Sequence, residues 1–187
     1  MHTFLMAVVL FAQVSVSREA VKAQADLRAA LAPAAREKLE HAAASIAKVD
    51  VKTAQKAVKS AFPDAELSAA DLDALASYVM SEAATIIAAE TTKIDEQKSA
   101  LREAMKAAGV EPKTGAKYAL KLSGDYAKAP EPLGADAAPA AMQQRLEELN
   151  AMAELNQRRR ASVLDAAESG LKRVRGEAAL NAIRNLK

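Results

Sequence analysis

Two long ladders of apolar residues, separated by a break, constrain this chain more than any other feature. Within residues 72–108, Leu72, Ala76, Val79, Ala83, Ile86, Ile94, Leu101, Ala104 and Ala108 recur in steps of three and four once Glu90 and Gln97 are inserted. At ~100° per residue these positions stay on one side of an α-helix roughly 54 Å long. Within residues 142–178 the ladder runs Met142, Leu146, Leu149, Ala153, Asn156, Arg160, Val163, Ala167, Leu171, Val174 and Ala178. It too is apolar apart from two entries. A half-buried strand would alternate with period two, and neither stretch does.

Composition decides what such ladders can bury. Alanine is about a quarter of the chain, aromatic residues are only 3%, and there is no tryptophan. Alanine favours helix and buries little area, so its methyl groups suit helices that approach closely along lengthy seams. Runs of β-branched and aromatic residues are scarce, which argues against a sheet. The expected fold is all-α: an elongated antiparallel helical hairpin, coiled-coil-like, with shorter N-terminal helices packed against it. At 187 residues and 19.7 kDa one core is expected.

Along the chain, residues 1–17 hold the apolar run FLMAVVLFA, followed by Ser15 and Ser17. That is the length of a signal-peptide core, although Met1-His2-Thr3 offers no basic side chain, and it is too short to span a bilayer. Export to a periplasm or the outside is the favoured reading, with an apolar first helix in a cytoplasmic protein as the alternative. Residues 18–61 read as two helices divided at Pro33, and Ala35, Leu39, Ala42, Ile46, Val49 and Thr53 form the stripe of the second. Phe62-Pro63 closes that region. Ser68 with Asp71 three residues later has the form of a capping box that starts a long helix over 68–108. Residues 109–141 hold four of the six glycines and four of the six prolines and read as a linker. A second long helix occupies 142–187, weakened late by Gly170 and Gly176.

The segment FPDAELSAADLDALASYV resembles the last helix of some small c-type cytochromes. Haem attachment in that family needs Cys-x-x-Cys-His, and this chain has no cysteine. The resemblance therefore implies no haem, and no cofactor is expected.

Polar residues inside the ladders set the register. If Ala108 faces Met142 across an antiparallel pair, Glu90 faces Arg160, Gln97 faces Ala153 and Asn156 faces Ile94. A charge in an apolar seam is costly unless matched, so Glu90 and Arg160 are expected to form an ion pair that fixes the register. Relative to Leu149, Arg160 projects at ~20°, whereas Arg158 and Arg159 project at ~180° and ~280° and face outward. Glu154 precedes Arg158, and Glu168 precedes Lys172, in the favourable order for helical surface pairs.

Other chemistry is thinly represented. With 26 basic and 24 acidic residues the net charge is +2, too balanced for a dedicated nucleic-acid binder. Arg158, Arg159, Lys172, Arg173 and Arg175 are interleaved with Glu154, Glu168 and Glu177. The absence of cysteine excludes thiol catalysis and thiolate metal sites. His2 and His41 are far apart, and no metalloprotease, nucleophile-elbow, P-loop or dinucleotide pattern occurs. Asp71 and Asp73, and Glu147 and Glu148, read as solvated helix faces. Arg159 to Ser162, RRAS, fits the loose target of a basophilic kinase. Tyr118, Lys121 and Tyr126 could form a basic, aromatic contact loop, although a solvated connector is the plainer reading. No catalytic constellation or small-molecule site emerges. The function expected is non-enzymatic: a structural or interaction protein working through a protein partner or self-association. Amphipathic binding to a lipid or membrane surface is the alternative.

Overall fold

A computed structural model describes residues 18–46, 50–112, 126–134 and 137–173. Among them five helices pack together and no strand occurs: α1 Arg18–Ala30, α2 Pro33–Ser45, α3 Val51–Ala61, α4 Ala69–Ala107 and α5 Pro139–Arg173. The all-α expectation stands. The possible leader, residues 1–17, lies outside the described residues, as do residues 174–187.

Local chemistry places most boundaries. Pro33 opens α2, where its missing N–H costs nothing. The N-terminal region contains three helices rather than two. Ile46 turns the backbone extended, and Asp50 restarts a helix by accepting the Thr53 N–H at 2.9 Å. Phe62 ends α3 and holds the Lys38 ammonium 5.3 Å from its ring centre. The capping box forms in full: Ser68 Oγ accepts the Asp71 N–H at 3.2 Å, and Asp71 Oδ2 accepts the Ser68 N–H at 3.0 Å. Asp71 is therefore buried, not solvated, and Asp73 accepts from Gln55 Nε2 at 2.7 Å, tying α4 to α3. At its far end α4 closes on Gly109 at φ 68, with Val110 N–H donating to Met105 O and Gly109 N–H to Lys106 O. This is a Schellman stop, which needs the left-handed glycine.

The apolar side chains form two clusters, not one. In the first, Leu27 and Leu31 from the α1 end, Leu39 from α2 and Val58 from α3 surround Leu75, Tyr78 and Ile87 of α4, joined by Val163 and Ala167 of α5. Here the single-stripe expectation fails, because every residue of 74–84 is buried. Three smaller helices and α5 enclose α4 where a two-helix seam would have left one side wet. In the second cluster Ile94, Leu101 and Met105 of α4 meet Met142, Leu146, Leu149, Met152 and Ala153 of α5. Low-numbered residues of α4 thus share a cluster with high-numbered residues of α5, and the reverse.

By length and composition α4 could cross a bilayer, yet 67% of its apolar window is buried inside the bundle, as in a core helix. Gly170 has a packing role beside its cost to helix propensity. A Cβ at that position would collide with Ser77 Oγ, so glycine is what lets the two long helices approach.

Candidate functional site

Between the two clusters lies a polar waist. Ile87 and Val163 end the first cluster, Ile94 and Ala153 begin the second, and Glu90 and Asn156 sit in the interval. Across this waist runs an extended piece of the glycine- and proline-rich region. Asn156, fully buried, holds Ala127 at both main-chain atoms: its Oδ1 accepts the Ala127 N–H at 2.6 Å and its Nδ2 donates to Ala127 O at 2.9 Å. Glu90 Oε2 accepts the Ala129 N–H at 2.9 Å, and Gln97 Nε2 donates to Pro130 O at 2.7 Å. Three polar residues singled out in the ladders are therefore brought together on one segment. Ala127 is 2% exposed within the second cluster, whereas Lys128 points outward. Residues 126–134 are thus a docked strap, and the reading of 109–141 as a solvated linker is corrected for this part. Main-chain groups that would have been hydrated are satisfied instead by amide and carboxylate side chains.

The expected Glu90–Arg160 ion pair is replaced. Glu90 Oε1 binds the Lys93 ammonium at 2.7 Å, one turn along the same helix, while its other oxygen is taken by Ala129. Arg160 is exposed. Its long side chain can reach water from a seam position, which avoids desolvating a guanidinium. Burial pushes the Glu90 carboxyl up, but the hydrogen bonds from Lys93 and Ala129 and the charges of Lys93 and Lys128 outweigh it and hold the group below its ordinary value. The same contact raises Lys93, through its hydrogen bond to Glu90 first and the Glu90 charge second.

Of the proposed contact loop, Tyr118 and Lys121 lie outside the described residues. Tyr126 is half-buried and packs against the first cluster, so it anchors the strap rather than presenting a free aromatic surface. Arg159, Arg160 and Ser162 are exposed on α5 and held helical. The surface pair of Glu154 and Arg158 forms at 3.0 Å, and the side chain of Lys172 lies outside the described residues.

A second feature escaped sequence reasoning. The outer faces of α2 and α3 enclose a groove of about 470 Å³ with Ala42, Ile46, Ala57 and Ala61 on its floor. Lys38, His41 and Lys56 line it together with Ser45, Thr53 and Ser60, and no acidic side chain does. Lys52 and Lys59 extend the same face of α3, being one turn before and one turn after Lys56. Among the described residues Lys38, Lys52, Lys56 and Lys59 have no ion-pair partner, whereas Lys93, Lys98, Arg145 and Arg158 each have one. The signal was present in the sequence: VKTAQKAVKSA carries three lysines and no acid.

Buried ionisable groups also gather where α1 meets α4. The Tyr78 hydroxyl is buried without a hydrogen-bond partner among the described residues, and Glu82 Oε1 lies 3.6 Å from Arg28 Nη1. Arg28 also donates to Glu40 at 3.0 Å. Burial first, and then the Glu82 charge, pushes the Tyr78 phenol up to about 12, against the opposing pull of Arg28. This cluster fastens α1 to α2 and α4. No group of three metal-ligating side chains occurs among the described residues. The chain matches no family model, and neither a curated protein nor a solved structure matches it.

Proposed function

We propose that this chain is a non-enzymatic interaction protein: α4 and α5 form an antiparallel, coiled-coil-like hairpin as its scaffold, and the α2/α3 groove receives an acidic segment of a protein partner. One observation carries the reading. Lys38, Lys56 and His41 line a concave, small-residue floor that no acidic side chain lines, and Lys52 and Lys59, which likewise have no ion-pair partner among the described residues, extend the same face of α3. Such a surface steers and orients an acidic partner more than it stabilises the fold. The opposed pairing of cluster residues along α4 and α5 supports the hairpin.

The test is charge reversal. Lys52→Glu with Lys56→Glu changes only exposed positions and leaves the helical content of the purified protein unchanged. Cross-linking in the native host is expected to give discrete adducts with the wild-type chain that this variant loses. Identical adducts for both proteins sink the reading. The lysine stripe also favours a second reading, attachment to an anionic membrane surface. Flotation with vesicles containing one-third phosphatidylglycerol separates the two, since a concave groove is expected to leave the protein unbound. Intact-mass analysis of the native protein tests export through the loss of residues 1–17.

A further inference from the structure

The strap is held in a way that depends little on its own sequence. Asn156 acts as a neighbouring strand would, pairing with both main-chain groups of one residue, and Glu90 and Gln97 continue the reading at Ala129 and Pro130. Successive side chains alternate as in any extended chain, with Ala127 and Ala129 packed inward and Lys128 in solvent. Both inward positions hold alanine, Ala127 buried and Ala129 half-buried. Pro130 supplies a carbonyl where no N–H is used, and Leu133 packs against the second cluster. Beside Leu133 a cavity of about 240 Å³ between Leu101, Met142 and Leu149 stays unfilled, so the strap does not exhaust its groove. Without the strap, Asn156 and Gln97 lose the main-chain partners it supplies, and Glu90 keeps only Lys93.

We propose that the α4/α5 groove is a binding site for an extended peptide of the pattern small-x-small-Pro, filled in cis by residues 126–134 and filled in trans by a partner segment of the same class. The specificity follows from the contacts: main-chain bonds supply affinity, two methyl-sized positions exclude larger side chains, and proline fits where no donor is needed. The tethered strap competes as an intramolecular ligand, so the intact chain resists exchange. The inference rests on reading the protein as an interaction module, but it uses a different face from the basic groove.

The probe is the blocked synthetic peptide YAKAPEPLG, residues 126–134, titrated into the full chain. Ala127→Glu places a charge at a position 2% exposed and ejects the strap while leaving the groove residues intact. This variant is expected to bind the labelled peptide at least roughly 10-fold more tightly than the wild type. Adding Asn156→Ala abolishes that binding, as does the matching Ala→Glu change in the peptide. A helical Ala127→Glu chain that binds no peptide, or binds it equally with and without Asn156, overturns the proposal. If that variant fails to fold, the wild type decides. Millimolar peptide is expected to move the Ala127 amide resonance, and an unmoved resonance refutes the site. Either result is independent of charge reversal in the α2/α3 groove, so failure of one reading is distinguishable from failure of the other.

Discussion

Over residues 74–84 α4 is enclosed on every side, whereas farther along it contributes only the edge formed by Ile94, Leu101 and Met105. The first cluster recruits three short helices to cover what two long ones leave open. The second recruits nine residues of extended chain. Polar side chains follow this division. Ser77 donates to its own helix at Asp73 O, 2.7 Å away, and so disappears into the enclosed half. Asn156, Glu90 and Gln97 turn outward from their helices to hold another segment. An alanine-rich seam with few large side chains can thus be completed in two ways: by more helix where the neighbours supply leucine and valine, or by main chain where they supply amides.

The largest effects come from the enclosed half. Leu75→Ala empties a fully buried site walled by several helices and is expected to cost about 3–5 kcal/mol. Leu149→Ala, equally buried in the strap-closed half, is expected to cost about 2–3 kcal/mol, because the strap can settle into the space. Urea titrations of both variants check the order, and equal losses break the distinction. Next comes Asn156→Ala. It leaves the Ala127 N–H and C=O unpaired in a dry site, for a loss of about 2–4 kcal/mol. Amide exchange should accelerate in residues 94–105 and leave residues 74–84 protected. Uniform acceleration contradicts two separately closed halves.

The two ladders foretold α5 well. Met142, Leu146, Leu149, Ala153, Asn156, Val163 and Ala167 are all buried, because on that helix one stripe meets one partner. Of the α4 ladder, Ala76, Val79, Ala83, Ile94 and Leu101 are buried, whereas Ala104 and Ala108 are exposed and Met105 is buried beside them. Periodicity reports one apolar face, and residues 74–84 also bury Ser77 against Gly170 of α5, Ser81, and Glu82 beside Arg28 of α1. That depends on long-range packing. The polar entries Glu90, Gln97 and Asn156 were legible as seam residues, yet their partner was not, since they bind main chain and main chain has no sequence signature. Arg160 shows the converse: the expected burial fails and the residue is exposed, because a flexible guanidinium on the same helix as buried Asn156 and Val163 can reach solvent.

Gly170 offers a finer comparison, because two opposing terms are close in size. Alanine gains up to about 1 kcal/mol over glycine inside a helix. Here its Cβ meets Ser77 Oγ, and the forced repacking costs about 1–3 kcal/mol. Gly170→Ala alone is expected to lower stability by about 1 kcal/mol. In a Ser77→Ala background the obstructing oxygen is gone and the nearest remaining atom is at 3.4 Å. There the same change is expected to raise stability, and thermal unfolding of the four proteins reads the reversal of sign. No reversal means that the close approach of the helices does not depend on this pair.

The smallest effect tests whether the strap is electrostatically held. The folded value of Glu90 lies below its ordinary 4.5, so its carboxylate contributes stability that is fully present above that pH. The contribution is lost as pH falls through the lower folded value. Lys93, its partner, is largely exposed, which limits the gain. Glu90→Gln keeps an acceptor for the Ala129 N–H and removes the charge. Urea midpoints of wild type and variant should therefore differ at pH 7 and converge only as the pH falls through the folded value of Glu90, which lies below 4.5. The Ala129 amide resonance of the wild type should titrate over the same acid range, while amides of residues 74–84 stay unmoved. A midpoint difference that persists at acid pH means that Glu90 holds the strap by shape rather than charge, leaving Asn156 and Gln97 as the groups that read its main chain.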